Sequence, residues 1–162
     1  MVAEVTGFLG TRRTVVDMTL GGGGHAIALL DAGVDRVIGI DRDPDAVSLA
    51  SRRLATFGDR FRAVKTTFSD VDADLTGGVV DGVLYDLGVS SMQLDSAERG
   101  FGYRVDGPLD MRMGRAGTSA ADLVNGLAES ELADLIFEYG GEHRSRRIAR
   151  AIVRKRPIAS TD

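Results

Sequence analysis

The 162-residue sequence predicts an α/β fold in which a partial parallel sheet of the doubly wound kind is followed by an α-helical segment. Three observations carry that prediction. Short apolar, β-branched runs alternate with helical patterns as far as Tyr85. A glycine cluster, Gly21-Gly22-Gly23-Gly24, sits on the first strand-to-helix turn. From Ser119 onward the strand-like runs cease and only helical spacing remains.

Thr14 to Met18 reads as the first buried strand. The glycines break it, and His25 to Ala32 follows as a helix closed by Gly33. Arg36 to Ile40 is a second strand ending at Asp41. Asp43-Pro44 then has the form of a helix start, with Asp43 as N-cap and Pro44 in the first turn, and that helix should run to about Thr56. Phe61 to Thr66 is a third strand. Val79 to Tyr85 is a fourth, apolar on both faces and expected to be central. Ser119-x-x-Asp122 fits a capping box. Leu132, Leu135, Ile136 and Tyr139 recur at helical spacing until Gly140-Gly141 ends that helix. Arg144 to Lys155 is a last helix, with Ile148, Ile152 and Val153 on one side.

Composition bounds the function classes. At 43% hydrophobic and 27% charged, the chain has the balance of an ordinary globular domain. No apolar run approaches the ~20 residues that span a bilayer. The first ten residues lack a basic segment followed by a long apolar one, so no secretory signal and no membrane partner are expected. Without cysteine, disulfides and thiolate metal sites are excluded, and two histidines make no recognisable metal site. A cytoplasmic location is the expectation. Charge is unevenly spread. Residues 1–143 carry 23 acidic and 13 basic side chains, whereas residues 144–162 carry seven basic and one acidic. Arg146, Arg147 and Arg150 lie in that block, which reads either as a solvated helix face or as a phosphate-contacting one.

The glycine cluster fits two patterns. Gly21-x-Gly23-x-x-Ala26 satisfies the dinucleotide fingerprint, and Asp17-x-x-x-Gly21-x-Gly23 satisfies the acid-plus-glycine pattern of S-adenosylmethionine (SAM) enzymes. Either needs backbone to approach a ligand closely. Asp41, about twenty residues on, could accept both ribose hydroxyls of an adenosine or act only at the helix start. Phe68 could lie on an adenine face or in the core. His25 opens the first helix, where ligand contact or capping fits better than catalysis. His143 suits a surface role. Asp86, in Asp86-Leu87-Gly88-Val89-Ser90-Ser91, would stand beside the cofactor. It could accept the N–H of an exocyclic amine and then its proton, order the loop, or bind the donor's amino group. Phe101 and Tyr103, between Arg99 and Arg104, suit either stacking on an extruded base whose phosphates the arginines hold, or core packing.

Several longer motifs point to one family. They are Asp86-Leu87-Gly88-Val89-Ser90-Ser91-x-Gln93-Leu94-Asp95, Glu98-Arg99-Gly100-Phe101, and Asp106-Gly107-Pro108-Leu109-Asp110-Met111-Arg112-Met113, followed by Tyr139-Gly140-x-Glu142 and Ser145-Arg146-Arg147-Ile148-Ala149-Arg150-Ala151-Ile152-Val153. With these the chain resembles the ribosomal RNA small subunit methyltransferase H family, the 16S rRNA cytosine(1402)-N4 methyltransferases, over nearly its whole length. The resemblance implies a class I SAM-dependent methyltransferase fold of Rossmann-like type. It implies S-adenosyl-L-methionine as donor, a cytidine of 16S rRNA in the small ribosomal subunit as acceptor, and a helical insert after the fourth strand. Residues 1–113 would then be the incomplete methyltransferase domain and 114–162 the start of the insert. SAM contacts would fall on Gly23, Gly24, His25, Asp41, Phe68, Asp86 and Gln93, the last known only through the resemblance. Ser90 and Ser91 would meet the target base.

The family's His-x-Pro-Val-Leu-like opening and Phe-His-Ser-Leu-Glu-Asp-Arg-like later motif are absent. The expectation is a chain truncated at both ends, with about half the family's length. A sheet stopping at strand four would leave an apolar edge and leave homo-oligomer formation open. Two further functions stay open: a non-catalytic remnant that binds SAM or RNA, and an NAD-binding oxidoreductase fragment.

Overall fold

A computed structural model describes residues 1–102 and 104–162. Tyr103, one of the expected base-stacking residues, lies outside the described residues. By compactness the chain divides into two units, Met1–Gly88 and Val89–Asp162.

The first unit holds four parallel strands, β1 (Thr14–Asp17), β2 (Arg36–Asp41), β3 (Phe61–Lys65) and β4 (Gly82–Leu84), in the order β3-β2-β1-β4. Val16 lies opposite Ile38 on one side and Val83 on the other. The two-residue period of the strands divides their side chains between the sheet faces. Val15 and Val37 pack with Leu20, Leu29, Leu30, Val34 and Leu54 in one cluster. Val16, Ile38 and Ile40 pack with Met18, Val64, Leu75 and Val80 in the other.

Helix α1 (Val2–Leu9) was not apparent in the sequence. Its Val5 and Leu9 rest against the first cluster, and it packs beside α2 (Gly24–Asp31). Helix α3 (Pro44–Arg53) starts as expected, with the Asp43 carboxylate accepting the Asp45 N–H at 3.1 Å. It ends before Thr56, because Leu54 turns fully into the core and a 3₁₀ segment over Ala55–Arg60 bends at Gly58, whose φ is +55°. A short α4 (Ala73–Thr76) precedes β4.

The fourth strand departs from expectation. Only three residues pair, and β4 lies at the edge of the described sheet rather than at its centre. It hydrogen-bonds to β1 alone among the described strands. Its apolar run is therefore not covered on both sides: Val79 is 93% exposed and Tyr85 51%.

The second unit holds α5 (Ser91–Asp95), α6 (Ala120–Gly126), α7 (Glu129–Gly140) and α8 (Ser145–Lys155). Gly141, at φ +62°, ends α7. Leu132, Ala133 and Ala149 are the buried contact between α7 and α8, with Ile136 and Ile152 beside them. Ile148, expected on the apolar side of α8, is half-exposed, and Ala149 takes the buried position. The expected capping box of α6 is formed by Ser119 and Asp122. The chain between α5 and α6 is bonded into this unit. Leu109 and Asp110 carbonyls accept the Ala121 and Ala120 N–H groups, and Gly107 O accepts the Thr161 N–H. These bonds lie within the second unit, Val89–Asp162. Among the described residues no helix is long and apolar enough to cross a membrane.

Candidate functional site

The carboxyl ends of β1, β2 and β4 each deliver an aspartate: Asp17, Asp41 and Asp86. In an open parallel sheet, ligands bind outside these strand ends.

The glycine turn is held from two sides. Asp41 Oδ2 accepts the Gly21 N–H at 2.8 Å, and Asp41 Oδ1 accepts the Asp43 N–H at 2.9 Å. From α3, Arg53 donates to the Gly22 carbonyl. Gly23 is the N-cap of α2 at φ +79°, and a Cβ there would lie 2.5 Å from Leu54 Cδ1. Its lack of a side chain is thus demanded by packing against α3 as well as by backbone conformation. Gly24 differs. Nothing lies within 4 Å of the position its Cβ would take, so this peptide faces open space.

Asp17 is fully buried. Its Oδ1 accepts the Thr19 N–H at 3.1 Å, while Oδ2 has no partner among the described residues. Burial pushes its carboxyl up to about 6, against the lowering effects of the Thr19 N–H and of the nearby His25. His25 places Nε2 3.2 Å from Asp86 Oδ2, and its buried Nδ1 has no partner among the described residues. The Asp86 backbone N–H donates to Thr19 Oγ1 at 2.7 Å. Two unpartnered buried polar atoms beside an open glycine peptide fit a polar ligand seated on the turn. Phe68, half-exposed, meets Tyr85 edge-on with ring centroids 5.9 Å apart, so these two rings line the rim rather than the core.

Gly23, Gly24, His25, Asp41, Phe68 and Asp86 therefore all belong to the strand-end region of the first unit. Sequence reasoning missed Thr19 and Tyr85 and used Asp17 only as part of a pattern. Tyr85 carried a signal, since it ends the apolar run just before Asp86. Thr19 carried none, because its partner is 67 residues away.

The other expected residues lie in the second unit. Ser90 and Gln93 cap α5 reciprocally: Ser90 Oγ accepts the Gln93 N–H at 3.2 Å and Gln93 Oε1 accepts the Ser90 N–H at 3.1 Å. Gln93 is buried, and Ser91 is exposed. Phe101 is half-buried, with the Arg99 guanidinium 6.0 Å from its ring centre. Arg99 does not fit the expected hold on phosphates. It is buried and donates to the Arg112 and Met113 carbonyls, so its guanidinium organises the loop. Arg146 and Arg150 face acids on α7, at 3.8 Å from Asp134 and 3.4 Å from Glu129. Arg147 is exposed and has no acidic partner among the described residues. Among those residues no cluster of histidine and carboxylate side chains could hold a metal ion.

A four-stranded parallel sheet, a glycine turn leading into a helix, and an acid at each of three strand ends define a Rossmann-like domain of the class I methyltransferase type. The chain belongs to the MraW methylase family, whose profile matches residues 2–162. It is 58% identical over 146 residues to a ribosomal RNA small subunit methyltransferase H of Cereibacter sphaeroides (strain ATCC 17029), covering 90% of this chain and 44% of that protein. It is 56% identical over 171 residues to the protein of the same name in Methylobacterium sp. (strain 4-46), covering 99% of this chain and 51% of that protein. The Jannaschia sp. (strain CCS1) protein of that name is 55% identical over 141 residues, covering 87% and 43%. The chain spans about half the length of the curated relatives it matches.

Proposed function

We propose that this chain is the SAM-binding and base-presenting part of an rRNA methyltransferase that modifies N4 of cytidine 1402 in 16S rRNA of the small ribosomal subunit. The pairing of His25 on the glycine turn with Asp86 at the end of β4 is the observation that carries the reading, because it sets an acceptor carboxylate beside the cofactor turn. Relatives named for small-subunit rRNA methylation support the substrate. Residues 1–113 are assigned to the methyltransferase domain and 114–162 to a helical insert.

SAM, when bound, supplies an electrophilic methyl group on a sulfonium. Gly23, Gly24, His25, Asp41, Phe68, Asp86 and Gln93 are the residues assigned to hold it. The open Gly24 peptide admits it, and Asp41, already fixed by two N–H groups, keeps lone pairs for ribose hydroxyls. The N4 amine of cytosine is a weak nucleophile, because its lone pair is delocalised into the ring. Asp86 would accept one amine N–H bond, which favours the pyramidal nitrogen, and would take the amine proton when the methyl leaves the sulfonium, whose sulfur would depart as a neutral thioether. Ser90, Ser91, Phe101 and Tyr103 are assigned to the target base, and Arg146, Arg147 and Arg150 to RNA phosphates. Holding amine and methyl in line contributes much of the rate.

The test is calorimetric titration of this chain with SAM and with NAD, followed by methyl transfer to isolated small subunits. Saturable SAM binding without NAD binding, and methylation lost in Asp86→Ala, support the reading. Binding of NAD in place of SAM would refute it. SAM binding without any transfer would leave a binding module.

A further inference from the structure

Thr19 bonds to two strand ends at once. Its backbone N–H donates to Asp17 Oδ1, and its hydroxyl oxygen accepts the backbone N–H of Asp86 at 2.7 Å. The hydroxyl proton has the same Asp17 oxygen at 3.5 Å. Asp17 is the buried end of β1, paired with β2 and β4, so one partner of Thr19 is set in the sheet. Asp86 has the opposite setting. It stands two residues beyond β4, and the chain from Tyr85 to Gly88 is exposed. Among the described residues, the last backbone–backbone bond between the β1 and β4 segments is Met18 N–H to Leu84 O at 2.9 Å. Beyond it, the Thr19 hydroxyl is the group that fixes the Asp86 backbone, and the Asp86 side chain then reaches His25.

We propose that Thr19 is a positioning residue, a hydroxyl clamp that sets the Asp86 carboxylate against His25 by holding the Asp86 backbone N–H to the buried end of β1. The geometry stands without the methyltransferase reading, but the functional consequence rests on it. A Val in place of Thr19 keeps the shape and removes the acceptor. Because Asp86 is exposed, its N–H then turns to water, and what is lost is the placement of the carboxylate rather than the fold.

The chain has two histidines, His25 and His143, so imidazole nitrogen spectra of the whole chain can be read with His143 as internal reference. Thr19→Val should move the His25 nitrogen resonances toward those of Asp86→Ala and leave His143 unchanged, with thermal melting retained. Thr19→Ser should restore the native His25 signals. In calorimetry Thr19→Val should weaken SAM binding by up to about tenfold, the worth of one hydrogen bond. Thr19→Ser should stay close to the parent chain, and Thr19→Val with Asp86→Ala should bind no more weakly than Asp86→Ala alone. Unmoved His25 resonances in Thr19→Val would overturn the clamp, as would losses that multiply in the double variant. A parent chain that fails to bind SAM would sink the methyltransferase reading, while the imidazole spectra still decide the clamp.

Discussion

Replacing Asp17 by Asn should remove a pH dependence of stability that the buried carboxylate imposes. Asp17 is fully buried, one of its oxygens is unpartnered among the described residues, and burial raises its pKa from 3.8 to about 6. A carboxyl whose folded pKa lies above its unfolded value binds more protons when folded. Stability therefore falls as pH rises through the window from 3.8 to about 6 and is level above it. At about 1.4 kcal/mol per pKa unit, the whole shift is worth a few kcal/mol, and on the order of 1 kcal/mol of it is lost between pH 5 and pH 7.5. Asn keeps an oxygen for the Thr19 N–H and cannot ionise. Urea unfolding of both chains across that range isolates the effect of Asp17 and of its coupling to His25 and Asp41, because carboxylates that do not interact with it cancel in the difference. The parent chain should lose on the order of 1 kcal/mol relative to Asp17→Asn between the two pH values. A difference that is flat, or of opposite sign, would show that the Asp17 carboxyl is not held protonated by burial.

The two adjacent glycines should respond differently. Gly23→Ala forces a Cβ into Leu54 at positive φ and should cost roughly 2–4 kcal/mol in unfolding, whereas Gly24→Ala meets open space and should leave stability within about 0.5 kcal/mol while weakening SAM binding. Equal melting losses would contradict the packing of the turn on α3. Asp41→Ala leaves the Gly21 and Asp43 N–H groups without their acceptor and should cost about 1–3 kcal/mol in unfolding and at least a factor of ten in SAM affinity; unchanged affinity would remove Asp41 from the cofactor site. Arg147→Ala should lower the salt slope of single-stranded RNA binding by about 0.7, the value of one phosphate contact. Arg146→Ala and Arg150→Ala should lower it less, since both already face acids on α7. A slope unchanged in the triple variant would make α8 a solvated face.

Elements whose signals are local were legible in the sequence. The N-cap at Asp43, the stop at Gly141 and the capping box at Ser119 each depend on residues within one turn, and each lies where the spacing put it. The fourth strand was misplaced because its composition reports apolarity and not neighbours. The largely apolar stretch from Val79 to Tyr85 reads as central although Asp81-Gly82 breaks it, and only Gly82–Leu84 pair, with β1. Helix α1 escaped notice because it spans only two turns, Val2–Leu9, and its buried face shows only once α2 is beside it. The same division applies to the site. Glycines and strand-end acids announce themselves by position, whereas Thr19 matters through a partner 67 residues away, and Arg99, read as a phosphate ligand, instead spends its donors on two backbone carbonyls.

Most residues that suit a cofactor here are also structural. Asp41 ties the glycine turn to the start of α3, and Gly23 lets that turn close on Leu54. A substitution at any of them changes scaffold and ligand surface together, so lost binding does not by itself assign a contact. Gly24 and the paired His25–Asp86 side chains are different, because the open peptide packs against nothing and the pair joins groups whose exposed or unpartnered atoms serve no core. The order of inference follows from that contrast. A ligand role is established first at Gly24 and Asp86, where folding is least affected. It is then extended to Asp41 and Gly23 through variants whose unfolding free energies have been measured alongside their affinities.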